Sequence, residues 1–186
     1  MKFNLILVVA MVFVFAAPAG AWAARKRPPL RIEGVPVSGS LDRFVKRLAS
    51  NGFMMEGALD SAVLMVGTWE GYRAVRLRVH GEGGEVSLVE CLKETTDEWT
   101  SIESEYRSIV ALLSARYGSL DAAAMWFDGR GGEVVSETAK MLCLIRGKAT
   151  VYSAWDLKDG VVRVEARYEK GRYYVVTKYI PGIKTA

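Results

Sequence analysis

Val75, Leu77 and Val79 alternate with Ala74, Arg76, Arg78 and His80 along one short run of the chain. That period-two pattern belongs to a strand with one face toward a core and the other toward water. A chain built around such strands must cover one face of an antiparallel sheet and leave the other open. Two further strand-like runs flank this one, at 62–68 and 85–92. The linking segments Trp69-Glu70-Gly71 and Gly81-Glu82-Gly83-Gly84 are short enough for hairpins. Near the C-terminus the pattern recurs. Runs at 149–156, 161–168 and 172–180 are separated by Leu157-Lys158-Asp159-Gly160 and Glu169-Lys170-Gly171, which have the composition of turns.

Helical spacing precedes each set. Ser40 is a good N-cap, and Leu41, Phe44, Val45 and Leu48 then share a face until Asn51-Gly52 ends the helix. Thr95 with Glu98 three residues later reads as a capping box, with Asp97 adding negative charge at the helix N-terminus. Trp99, Ile102, Tyr106, Ile109, Leu113 and Tyr117 form one apolar stripe up to Gly118. A Gly129–Gly132 loop leads to a shorter helix over 137–146. The expected fold class is therefore α+β. Two tandem repeats, 30–94 and 95–186, each lay a helix on an antiparallel sheet of three to four strands, with Trp69 and Trp155 at equivalent places.

The N-terminus carries a different message. Lys2, an apolar run from Leu5 to Phe15, and the small-residue end Ala21-Trp22-Ala23 form the order read by a secretory signal peptidase. Cleavage is expected after Ala23, leaving an exported protein, periplasmic or secreted, with no remaining membrane span. Residues 24–29, charged and proline-rich, read as a disordered lead. The formal charge of +4 is concentrated in that lead and in Lys2, so the folded body is near neutral and nucleic acid is not the expected partner. Cys91 and Cys143 are the only cysteines. Export permits a bridge between them, closing a loop worth roughly 4 kcal/mol. The apolar setting of Cys143 within Met141–Ile145 suits a buried thiol equally well.

Reaction chemistry has little to work with. His80 is the only histidine and falls on the wet side of a strand end, where a solvated histidine is the plainer reading than a catalytic base. One histidine with two scattered cysteines offers no zinc spacing. The 81–84 loop leads into a strand and carries Glu82, which repels anions. The 129–132 loop precedes a helix but lacks the P-loop Lys and Ser/Thr. Glu103 and Glu105 cannot share a helix side, and Asp97 with Glu98 belongs to the cap. No catalytic residue, cofactor or metal is expected.

Three segments carry a resemblance. They are Gly34-Val35-Pro36-Val37-Ser38-Gly39-Ser40 ahead of Asn51-Gly52-Phe53, Gly67-Thr68-Trp69-Glu70-Gly71, and Gly147–Trp155 with Gly171-Arg172-Tyr173-Tyr174-Val175-Val176. Together they resemble small exported proteins of unknown function from anaerobic gut bacteria. The order of elements is similar to the tandem helix-plus-sheet architecture of the β-lactamase inhibitor protein. The resemblance implies a fold and, by analogy alone, a binding role.

The functional expectation is a non-catalytic module that binds an envelope or extracellular protein. A small envelope hydrolase is the alternative, as is an assembly or chaperone-like factor whose sheet accepts a client strand. Arg76 and Arg78 share one strand face, and Arg163 and Arg167 share one in the second half. Side by side they would make a positive stripe for an acidic partner. Ordinary solvated arginines offset by neighbours such as Glu165 are the plain reading of the same pattern.

Overall fold

In a computed structural model of the chain, residues 27–59, 61–127 and 136–182 are described. The expected signal segment with its Ala23 cleavage site, the start of the lead at 24–26 and the Gly129–Gly132 loop lie outside the described residues. A small hairpin of β1 (Arg31–Ile32) and β2 (Val35–Pro36) precedes α1 (Leu41–Ser50). Strands β3 (Met54–Leu59), β4 (Ala62–Trp69), β5 (Tyr72–Glu82) and β6 (Glu85–Thr95) follow, then α2 (Trp99–Tyr117). The chain continues with β7 (Ala122–Phe127), α3 (Glu137–Ile145), β8 (Ala149–Leu157), β9 (Gly160–Glu169) and β10 (Arg172–Pro181).

The fold is α+β. Eight of the strands make one sheet in the order β3-β4-β5-β6-β10-β9-β8-β7, and every neighbouring pair is antiparallel. Where three to four strands per sheet were expected, β6 and β10 pair across the middle and merge both sets into a single surface. Their register runs from Tyr173 opposite Thr95 to Tyr179 opposite Val89.

That pairing also explains how α2 begins. Thr95 is the last residue of β6, and its ladder position opposite Tyr173 takes it out of the expected capping box. The helix starts at Trp99 with Glu98 as N-cap, and no side chain bonds the cap. At α3 the capping chemistry is present, because Ser136 Oγ accepts from the Ala139 N–H at 3.2 Å.

One layer of helices covers the sheet. From α1, Phe44 and Leu48 are buried; from α2, Trp99, Ile102, Tyr106, Ile109 and Leu113. They meet Val75, Leu77 and Val79 of β5, Val89 of β6, Val162 and Val164 of β9 and Val175 of β10 in one core. Burial of this aliphatic and aromatic surface is the main source of stability. The Phe53 ring packs directly on Gly67 of β4, where an added Cβ would clash with it. Turns at Glu70-Gly71 (φ 48° and 84°) and Lys170-Gly171 (φ 51° and 81°) are left-handed at both central residues. This matches the right-handed twist of hairpin strands.

Two strands of the large sheet, and the short β1–β2 hairpin, escaped the sequence pattern. β3 is exposed at nearly every position, and β7, Ala-Ala-Ala-Met-Trp-Phe, has neither alternation nor a β-branched residue. Both are edges of the sheet, so neighbouring strands rather than local propensity place them. Order also reaches into the expected lead. Arg27 pairs with Asp121 at 3.0 Å and Asp156 at 3.5 Å, and Pro28 O accepts from the Lys158 N–H at 3.2 Å.

Within the core, Trp69 Nε1 donates to Tyr179 Oη at 2.9 Å, and both residues are buried. Tyr179→Phe would keep the ring and leave the indole N–H without its acceptor. The expected loss is about 1–3 kcal/mol, the cost of an unsatisfied buried donor, read from the midpoint of urea unfolding. By contrast, Thr177 Oγ1 is buried with no hydrogen-bond partner, so Thr177→Val is expected to be neutral or stabilising in the same assay.

Candidate functional site: the helix-free sheet face and the β7 edge

Strand parity sends Arg76, Arg78 and His80 of β5 to the face opposite the helices, since Val75, Leu77 and Val79 occupy the core. Register places Glu90 of β6 beside Arg78, Lys178 of β10 beside Glu90, and Arg163 of β9 beside Lys178. The same rows bring Glu165, Arg167 and Glu169 to this face. The β6–β10 pairing therefore gathers Arg78, Arg163 and Arg167 on one continuous surface.

Each arginine arrives with a carboxylate. Arg78 meets Glu90 at 3.0 Å and Glu169 at 3.1 Å. Arg167 meets Glu165 at 2.6 Å, Glu90 at 2.9 Å and Glu169 at 3.5 Å. Arg163 pairs with Glu165 at 3.3 Å and lies 4.2 Å from the centre of the Tyr152 ring. Lys178 reaches Glu165 at 2.8 Å, and Arg76, nearer the edge, reaches Glu56 at 3.4 Å. His80 Nε2 lies 3.3 Å from Glu90 Oε2. In the centre, Arg78, Arg163, Arg167 and Lys178 face Glu90, Glu165 and Glu169, so the charges nearly cancel. The neighbours that convert a stripe into a network include Glu165, visible in the sequence. Glu169 is two residues from Arg167 on the same face of β9, a local pairing like that of Glu165. Glu90 has no sequence signal linking it to Arg167, because that contact crosses from β6 over β10 to β9.

The electrostatics follow the geometry. The Glu90 side chain is 5% exposed. Burial pushes its pKa up, but Arg167, the His80 hydrogen bond and Arg78 outweigh burial and hold it below the ordinary value. Glu165 behaves alike, with Lys178 and Arg167 overcoming desolvation, and Glu169 is held low against burial chiefly by Arg78. These carboxyls are ionised acceptors. None has the raised pKa of a general acid. A carboxyl with a raised pKa does occur at Glu70, lifted by burial despite its pairing with Arg116. It sits in the β4–β5 turn, where its carboxylate accepts from Arg116 and its backbone N–H donates to Glu33 Oε1 at 2.7 Å.

The expected cysteine pair is set apart by the sheet. Cys91 lies on β6 and is a buried free thiol, raised well above its ordinary pKa by desolvation. Cys143 is buried on α3, a helix that packs over β8 and β9. Strands β6 and β9 are two ladder spacings apart, about 10 Å. A disulfide requires Cα atoms within about 7 Å.

A different feature lies at the sheet's end. Among the described residues the large exposed apolar side chains concentrate on the two edge strands. These are Met54 (68% exposed), Met55 and Leu59 on β3, and Met125 and Trp126 (57%) on β7, with Leu120 just before β7; Leu142 and Ile145 of α3 are the others. A shallow groove of about 410 Å³ runs between α2 and β7, lined by Tyr106, Val110, Leu120, Ala123, Met125 and Ser153. Another of about 380 Å³ lies beside α1, among Arg43, Lys46 and Arg47. Neither is a deep cleft with convergent acids. Among the described residues no group of three or more His, Cys, Asp and Glu could hold a metal, and no helix is long and apolar enough to cross a membrane.

Comparison of the chain with protein-family models, with curated proteins and with solved structures finds no match.

The ion network has a pH signature. Carboxyls whose folded pKa lies below the ordinary 4.5 stabilise the fold above that pH. The contribution is lost as pH falls through the lower folded values. Arg167→Gln removes the group common to all three. Because Arg167 keeps 23% exposure, the expected cost at pH 7 is ~2–3 kcal/mol, below the range for fully buried pairs. Urea midpoints measured from pH 7 to pH 3 should fall less steeply for the variant than for the native chain.

Proposed function

We propose that this chain is an exported, non-catalytic interaction module of the cell envelope, and that it makes its contact along the β7 edge of the sheet. The single observation carrying this reading is the edge itself. Six residues without a charge, Ala122–Phe127, end the sheet beside an apolar groove and expose Met125 and Trp126. Contiguous apolar surface with an open strand edge is the material of protein contacts. The arginine-bearing face is the weaker candidate, because its cations are engaged by Glu90, Glu165 and Glu169. An acidic partner would have to displace those carboxylates.

The non-catalytic reading draws support from the depressed pKa values of the face carboxyls, which deny it a proton donor near neutral pH. Export rests on the Lys2, Leu5–Phe15 and Ala21–Ala23 order.

We further read the chain as two repeats, α1 with β3–β6 and α2 and α3 with β7–β10. In support, the sheet order mirrors about its centre, with β3-β4-β5-β6 answered by β10-β9-β8-β7. Trp69 and Trp155 are buried on the second strand of each set. Their indole N–H groups bond Tyr179 and the Gly118 carbonyl.

A photoreactive phenylalanine analogue placed at position 126, and separately at position 163, tests the contact surface in the native host. Protein adducts from position 126 and few from 163 are expected, on a chain whose N-terminus by mass spectrometry is Ala24. Adducts from 163 with none from 126 would return the arginine face to first place.

A further inference from the structure

The two ends of the eight-stranded sheet are treated differently. At one end β3 is blunted. Its register with β4 shifts between Met55 and Gly57, a bulge that breaks the ladder at Glu56, and Glu56 carries a charge paired to Arg76. Bulges and charges are the ordinary means of preventing an edge from pairing further. At the other end β7 has neither. It runs in unbroken register with β8 from Ala122 opposite Ala154 to Phe127 opposite Ala149, and it has no charged residue. Among the described residues no strand lies on its outer side.

The geometry points to β7 as the site where a second copy of this chain adds its own β7, antiparallel, about a twofold axis that sets Ala124 opposite its own copy. This rests on the reading of the chain as an interaction module and names its partner.

The occupant follows from the residues. An antiparallel pair related by a twofold axis perpendicular to the sheet must match residues of the same face, so one residue stands opposite its own copy, with the axis midway between the two. Centred on Ala124, the register sets Trp126 against Ala122 of the second copy on the helix-free face, and Met125 against Ala123 on the helix face. Phe127 stays with its own core, edge-on to Trp99 at 4.9 Å between ring centres. Every large exposed side chain of the strand thus meets an alanine, at the ~4.5–5.5 Å Cβ spacing of cross-strand partners.

The groove beside β7 completes the fit. Ala123 forms part of its floor, with Tyr106, Val110 and Leu120 around it. The thioether of Met125 from the second copy, placed opposite Ala123, enters that groove, and a flexible unbranched side chain suits so shallow a space. The twofold operation makes the same contact in return. Two sheets of eight strands then become one of sixteen, with both bulged β3 edges outermost. Closure about the twofold stops growth, because the remaining edges are the blunted ones.

Sedimentation of the mature chain tests this across the micromolar range. The expected mass is twice that of the monomer, and Trp126→Lys, which buries a charge at the seam, should sediment as a monomer with an unchanged circular dichroism spectrum. Ala124→Cys should form a disulfide-linked dimer on mild oxidation, since position 124 faces itself, whereas Ala122→Cys should not. The native thiols Cys91 and Cys143 are buried and give little background. A native chain that sediments as a monomer overturns the proposal, as does a dimer that survives Trp126→Lys or cross-links at 122 in preference to 124. Such a monomer, if it still gives adducts to another protein from position 126, leaves the interaction reading standing and replaces the second copy with a foreign strand. A monomer with no adduct from 126 removes both.

Discussion

The pairing of β6 with β10 is the contact on which the rest depends. It joins the strands that follow α1 to those that follow α2, at a sequence separation that no local signal spans. On one side it packs Val89, Cys91, Val175 and Tyr179 beneath the helices. On the other it sets Glu90 within reach of Arg167 as well as Arg78. Without it the chain would hold two smaller sheets, each with an extra edge to protect.

Helices on a single side of the sheet leave a second face for side chains to manage. Here long charged residues lie flat across it and satisfy one another. Val176 is wholly buried although it stands on the helix-free face, between Leu92 and Glu165 in the ladder. Mutual pairing at 21–25% exposure of Arg78, Arg167 and Glu169 keeps the charges fixed and the surface nearly neutral. That gives the face a structural role.

At the ends of the sheet the difference between β3 and β7 is one of protection. A bulge and a paired glutamate close β3, whereas β7 presents an even ladder and no charge, and both strands expose large apolar side chains. Open edges of that kind carry a standing risk of non-specific pairing. That asymmetry is what the proposed contact at β7 rests on.

How much of this was legible follows from the range of each interaction. Six of the strands, the α2 stripe and the shorter α3 were readable in the sequence because alternation and helical spacing are local, and each carries its own turn or stop residue. Val75, Leu77 and Val79 declare the buried face of β5, and Gly52 and Gly118 end their helices. The α+β class follows from those elements alone. Thr95 shows where local reading fails, since ladder pairing with Tyr173 outranked a capping box. β3 and β7 were illegible because exposed edge strands need no pattern of their own. The arginines were visible as a pattern, but their neutralisation was only partly so: Glu165 and Glu169 neighbour Arg167 along β9, whereas Glu90 reaches it only after three strands are laid side by side. The sequence by itself determined the elements and which face of each is apolar, since both are properties of a few consecutive residues. Tertiary structure decided that one sheet forms, that its charged face cancels and that β7 is its last strand among the described residues, because those depend on strands distant in the chain becoming neighbours.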